Sequence, residues 1–208
     1  MFLDDRDYNL FLKLYDKGFI SEAILLEKKY LSSDPRHALK LILRKKEIPK
    51  NWVSAWHGTQ HEFIESIVEY GLKLPGTKIK DKIIKQNKSY IPLKDNVFGI
   101  KNWDNAIFVS KNIHYALSYC NYNYTLKYFL LVEVKIKPGS FTEHKSKFII
   151  DYYCGHGWNY KGGDETDIYR IASDSDVIVT SIVMAPCLTC VLQMKEHKSD
   201  ENFIDFID

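Results

Sequence analysis

The feature that most restricts the fold of this chain is a strand that runs directly into a helix, and does so twice. Residues Trp52 to His57 form an apolar, strand-compatible run that stops at His57-Gly58-Thr59. Phe63, Ile64, Ile67 and Val68 then recur at helical spacing within residues 59–70, and Gly71 supplies a stop. Ala106 to Ser110 is a second strand-like run, followed by a helix expected to end near Tyr119 and Cys120. Two such junctions predict a sheet whose strand ends feed helices, with one junction offering a glycine backbone and the other aromatic rings. Such a pair suits a flat nitrogen heterocycle, because glycine lets a planar group approach the main chain and an aromatic face stacks on it.

The rest of the chain is read around these junctions. Residues 1–50 read as helical. Leu10, Phe11, Leu14 and Tyr15 share one face, and Gly18 ends that run. Ser21 caps a helix with Ala23, Leu25 and Leu26 in its core face, and Asp34-Pro35 opens another with Ala38, Leu39, Ile42 and Leu43. Either this segment is a separate recognition element or it packs on the sheet that follows. Residues 72–101 have no steady period and hold eight lysines against two aspartates, which fits a binding loop or a solvated basic face. Tyr128 to Ile136 reads as a strand ended by Lys137-Pro138-Gly139, residues 151–165 as a loop, and Asp167 to Ala172 and Thr180 to Ala185 as strands. Cys190 to Lys195 is a further candidate strand, and residues 196–208 form an acidic tail.

Composition removes several classes. The 208 residues are 45% hydrophobic, enough for a full core. A net charge of +2 gives no global reason to bind nucleic acid, and no apolar run reaches the length of a membrane span. The opening Met1-Phe2-Leu3-Asp4-Asp5 has acids where a signal peptide has bases, so a cytoplasmic or nuclear location is expected. Cys187 and Cys190, with Cys154 and His156, have the donor types of a Cys3His zinc site. The preferred reading is packed thiols beside Pro186, and no metal is expected.

Four stretches in order carry a family resemblance. Trp56-His57-Gly58-Thr59 with Glu65 to Leu72 resembles the donor-site opening of the poly(ADP-ribose) polymerase (PARP) catalytic domain. Ala106 to Ser110, with Tyr119 eleven residues after Phe108, resembles its second motif, Leu131 to Gly139 its next core strand, and Asp167 to Ala185 its last motif and closing strand. The resemblance spans about residues 50–195. It implies an α+β ADP-ribosyltransferase fold of two packed, mainly antiparallel sheets with flanking helices. Residues 1–50 would then be an N-terminal helical segment, 51–195 the transferase domain and 196–208 the tail. It also implies NAD as co-substrate. Gly58 would offer its main chain to the nicotinamide carboxamide, His57 would bond an adenosine-ribose hydroxyl, and Tyr119 would stack on the nicotinamide ring. Thr59 is the neighbouring cofactor-site position and reads better as a helix cap.

Three positions depart from the family's His-Tyr-Glu triad and its surroundings. The triad tyrosine position holds Phe108, which can stack but not donate. The position that commonly holds a carboxamide-bonding serine holds Ala116, with Ser118 nearby. The triad glutamate position holds Ile168, as in the mono-ADP-ribosylating branch. A carboxylate there would support the developing oxocarbenium charge and orient an incoming ADP-ribose hydroxyl. Without it, elongation is not expected, and Asp164, Glu165 and Asp167 are the nearest acids that a register shift would bring in. His114 and Tyr115 read as surface or packing groups. The expected activity is transfer of one ADP-ribose to a macromolecular acceptor, in the first place a protein, with nucleic acid less favoured. The alternatives are a catalytically weak module that binds NAD, ADP-ribose or a protein partner, and an RNA 2′-phosphotransferase. The latter family is arginine-rich in its site, whereas this chain has four arginines, three of them before the motif.

Overall fold

The computed structural model describes residues 5–26, 38–44, 47–85, 96–97, 100–117, 119–120, 129–147, 150–154, 158–162 and 165–185. Helix α1 spans Asp5–Asp16 and strands β1 and β2 span Ile20–Leu26 and Ala38–Leu43. Strand β3 (Val53–Gly58) leads through a 3-10 turn (His61–Phe63) into α2 (Ile64–Tyr70). Two small hairpins follow, β4 (Lys78–Ile79) with β5 (Lys82–Ile83) and β6 (Asn96–Val97) with β7 (Ile100–Lys101). Then come β8 (Ile107–Ser110), α3 (Ile113–Leu117), β9 (Phe129–Ile136), β10 (Phe141–Lys147), β11 (Ile150–Cys154), β12 (Trp158–Gly162), β13 (Glu165–Ile171) and β14 (Val177–Ala185). Eight of these strands form one antiparallel sheet in the order β1-β2-β14-β9-β3-β8-β13-β10.

Of the expected α+β pattern, the mainly antiparallel strands, the short flanking helices and the N-terminal helix are present, but the balance among the described residues is mainly β, with one eight-stranded sheet and three two-stranded ones in place of two packed sheets. The sheet nevertheless has a seam. Strand β9 pairs with β3 over six residues, whereas β3 and β8 share only the pair Trp56–Ser110. Five strands lie on one side of that seam and three on the other.

The helical reading is also corrected for residues 20–26 and 38–43. Ile20–Leu26 and Ala38–Leu43 are antiparallel strands, and β2 pairs onward with β14 from Ser181–Ile42 to Met184–Leu39. Leu39, Leu41 and Leu43 are buried while Lys40 and Ile42 are less so, a period of two. Each such aliphatic side chain contributes about 1.5–3 kcal/mol on burial. The helix-spaced set Ala38, Leu39, Ile42, Leu43 fits these residues almost as well, and only the open edge of β14 decides between them. The loop reading of residues 151–165 gives way, over residues 151–154 and 158–162, to the paired strands β11 and β12.

One face of the sheet carries the main core. Ala55, Val132, Val134, Ile136, Tyr169 and Ile171 pack there with Leu14 of α1 and Ile64, Ile67 and Val68 of α2. Gly18 ends α1 at a φ of 69°, a left-handed conformation that other residues adopt at a cost, and its N–H bonds the Tyr15 carbonyl at 2.8 Å. Tyr15 itself is exposed and stacks on Phe11 at 5.8 Å, and Phe63 is also exposed, so neither joins the apolar face expected of it. Helix α3 covers the opposite face through buried Ile113, Ala116 and Leu117. Strand β9, covered on both sides, is buried from Phe129 to Val134.

Candidate functional site at the seam between β3 and β8

Beyond Trp56 the β3–β8 ladder stops, and a side chain takes over. His57 sits next to the end of β3, and its Nδ1 lies 2.9 Å from the carbonyl oxygen of Phe108 on β8. A carbonyl only accepts, so Nδ1 carries the proton and Nε2 is left as the acceptor. Burial pushes the imidazole below its ordinary pKa of 6.5, and the bond to Phe108 only partly opposes that. His57 is thus a neutral imidazole of fixed tautomer, bridging the two halves of the sheet.

One residue on, Gly58 meets the second junction. A Cβ at this position would lie 1.7 Å from the Ala116 carbonyl oxygen, 2.8 Å from the Ala116 carbonyl carbon and 3.0 Å from Tyr119 Cβ. Only glycine admits this approach, and its φ is not in the left-handed region, so contact alone imposes it. The structure therefore brings together His57 with Phe108, and Gly58 with Ala116 and Tyr119. Tyr119 follows α3, with its N–H on the Ala116 carbonyl at 3.1 Å and its hydroxyl donating to Tyr115 Oη at 2.6 Å. The two rings meet edge to face at 5.2 Å, so Tyr115, expected as packing, helps orient Tyr119. Burial and its tyrosine neighbour push the Tyr115 phenol up, so it stays protonated.

Thr59 is buried, and the N-cap position of the following turn is held by Gln60, whose side chain makes no capping bond, so the cap expected of Thr59 is not formed. Ser118 lies outside the described residues. Ile168 is buried on β13 opposite Ser110, which in turn pairs with Trp56. It therefore lies two strands from β3, roughly 9–10 Å. Opposed residues share a face, so Ile168 is on the side of Phe108, two positions from Ser110. Among the described side chains no acid replaces it there. Asp167 points to the opposite face and pairs with Lys145, its backbone carbonyl accepts from the Ser110 hydroxyl at 2.6 Å, and the side chains of Asp164 and Glu165 lie outside the description.

Sequence reasoning missed a cluster beside Phe108. The Trp103 ring lies 5.3 Å from Phe108 and 4.5 Å, edge-on, from His144. The Arg170 guanidinium lies 5.7 Å from the Trp103 ring and donates from Nε to the Trp103 carbonyl at 2.9 Å, with a further bond to the Asn102 carbonyl at 3.1 Å. Arg170 stands directly across from Phe108. Its place in an alternating strand two residues after Ile168 was the available signal. A second buried polar set, Glu133 with Ser181 at 2.6 Å and Lys40 at 2.8 Å, lies on β9, β14 and β2.

Among the described residues no group of three His, Cys, Asp or Glu side chains could hold a metal, and His156, Cys187 and Cys190 lie outside them. No helix among the described residues is long and apolar enough to cross a membrane. The chain matches no protein-family model and no curated protein sequence.

Proposed function

We propose that this chain is a mono-ADP-ribosyltransferase of the ADP-ribosyltransferase fold, with the nicotinamide end of NAD bound at the seam between β3 and β8. The observation that carries the reading is the meeting of the two junctions, His57 on Phe108 and Gly58 on Ala116 and Tyr119. Neither contact follows from chain proximity. Gly58 supplies close main chain for a carboxamide, and the Phe108 and Tyr119 rings supply stacking surfaces for an electron-poor ring. His57, neutral with Nε2 as acceptor, takes a hydrogen bond from a ribose hydroxyl. A carboxamide held in one orientation aligns the glycosidic bond for cleavage.

In the transfer, the bond between ribose C1′ and the nicotinamide nitrogen breaks with its electron pair leaving on nicotinamide, and a lone pair of the acceptor forms the new bond to C1′. Ile168 offers no carboxylate to orient a second ADP-ribose, so the product carries a single unit. A protein acceptor is favoured over nucleic acid because the chain's net charge is only +2.

Incubation of the protein with labelled NAD and a protein mixture tests this. The expected result is release of nicotinamide with one ADP-ribose per modified side chain by mass spectrometry, and loss of both in His57→Ala. No release of nicotinamide at saturating NAD counts against transfer. A second reading, a module that binds NAD or ADP-ribose without chemistry, is favoured by one observation: the departures at Phe108 and Ile168 share one face, and among the described side chains none is replaced by a carboxylate there. Calorimetric NAD binding without turnover is its signature.

A further inference from the structure

We propose that Arg170 is a positioning residue for the nicotinamide ring: its guanidinium clamps the turn that carries Trp103, and Trp103 holds Phe108 as a fixed wall. The inference rests on the transferase reading above.

The need for a clamp follows from Phe108. Its side chain has no polar atom, so only packing can set the plane of its ring. On β8 its neighbours Ile107 and Val109 are buried, whereas Phe108 keeps partial exposure. A wall that is open to a ligand on one side needs a firm backing on another. Trp103 supplies it. The indole is 5% exposed, and its ring lies 5.3 Å from the Phe108 ring at an interplanar angle of 48°. It also meets the His144 ring edge-on at 4.5 Å.

Trp103 belongs to no strand. It lies in the turn between β7 and β8, so no ladder fixes it. Two main-chain bonds close that turn, Asn105 N–H on the Asn102 carbonyl and Ala106 N–H on the Asp104 carbonyl, both at 2.9 Å. Asn102 holds a φ of 51°, a left-handed conformation that persists where the surroundings enforce it.

Arg170 provides that enforcement from the sheet. It stands directly across from Phe108 in the β8–β13 ladder, a spacing of about 4.5–5.5 Å between Cβ atoms. Its Nε donates to the Trp103 carbonyl at 2.9 Å, and one terminal nitrogen donates to the Asn102 carbonyl at 3.1 Å and the Asn105 carbonyl at 3.4 Å. Three carbonyls of one turn thus converge on a single planar cation, which also lies 5.7 Å from the Trp103 ring. The rigid fork of arginine matches such a set, and the single head of lysine does not. The order of support runs from β13 to Arg170, to the turn, to Trp103, and ends at the Phe108 ring. The Phe108 main chain is held separately by its pairing with β13, so the carbonyl that bonds His57 stays in place when the ring loosens. Loss of the clamp therefore weakens the nicotinamide end of the site and spares the end that takes the adenosine ribose.

Calorimetry with free nicotinamide and, separately, with ADP-ribose tests this on the wild type and two variants. Arg170→Met keeps the stem and removes every donor, and Arg170→Lys keeps the charge but not the fork. Each variant is expected to bind nicotinamide about 3- to 10-fold more weakly, the size of one aromatic stacking contribution, and ADP-ribose as tightly as the wild type does. The two variants are read independently, so the lysine form carries the comparison if the methionine form does not fold. Unchanged nicotinamide binding in a folded variant overturns the proposal. An equal fall for both ligands also overturns it, because that assigns Arg170 a role in stability alone. A wild-type protein that binds no nicotinamide sinks the placement of NAD at the seam, a different outcome from failure of the Arg170 assignment alone.

Discussion

Replacing Gly58 by alanine tests the close approach on which the site depends. The added methyl would sit 1.7 Å from the Ala116 carbonyl oxygen, where ordinary contact begins near 3.4 Å. The obstacle is backbone, so no rotamer change relieves it. The end of α3 must move by well over an ångström, and that end is anchored by Ile113, Ala116 and Leu117, each at most 3% exposed. Overpacking of this kind costs about 1–3 kcal/mol, and the severity of the overlap puts it at the upper end. Alanine recovers about 0.4–1 kcal/mol by restricting the unfolded chain. The net is about 2 kcal/mol, or roughly 4–8 °C in the midpoint for a chain of this length. Urea unfolding and a thermal scan measure it. The clash involves a carbonyl and not the alanine side chain, so Ala116→Gly in the same chain restores nothing. A Gly58→Ala protein within about 0.5 kcal/mol of wild type, or one rescued by Ala116→Gly, refutes the packing argument. NAD affinity measured on the same variants then separates a lost binding surface from lost stability.

Three further outcomes are expected. His57 and His144 have pKa values held below 6.5 in the folded chain, so as pH falls the unfolded chain binds their protons first. Stability is full above about 6.5 and declines as pH drops through it, and His57→Gln flattens part of that slope in urea titrations between pH 7.5 and about pH 5. Lys40→Met removes the Lys40 ion pair from Glu133 at a site where the carboxylate is 10% exposed, costing about 3 kcal/mol by urea unfolding. A loss under 1 kcal/mol would show that Glu133 does not depend on the pair. Burial pushes the Cys120 thiol up to about 12. Iodoacetamide at pH 8 should therefore leave its peptide unmodified in the native protein and alkylate it in urea, as read by mass spectrometry.

The two strand-to-helix junctions, the central strand at Phe129–Ile136 and the stop at Gly71 were legible because periodicity and turn chemistry are local. The edge hairpin was not. Leu39, Leu41 and Leu43 satisfy a strand, and Ala38, Leu39, Ile42 and Leu43 satisfy a helix, so a six-residue apolar run cannot choose its own period. Its pairing with β14 chose it. Phe63 and Tyr15 failed as core residues for a related reason: a helical stripe names a face, but only the neighbour decides how wide a face is covered.

At the seam the division is sharper. His57, Gly58, Phe108 and Tyr119 are identifiable from residue type and order, since a glycine after a strand histidine and aromatics flanking a short helix are written in one dimension. That the His57 imidazole stands in for a missing ladder bond, that Gly58 is required by a carbonyl from α3, and that His144 and Arg170 share the face of Ile168 depend on register. Register is a property of two strands far apart in the chain, and a one-residue slip in either would turn every one of these side chains to the other face.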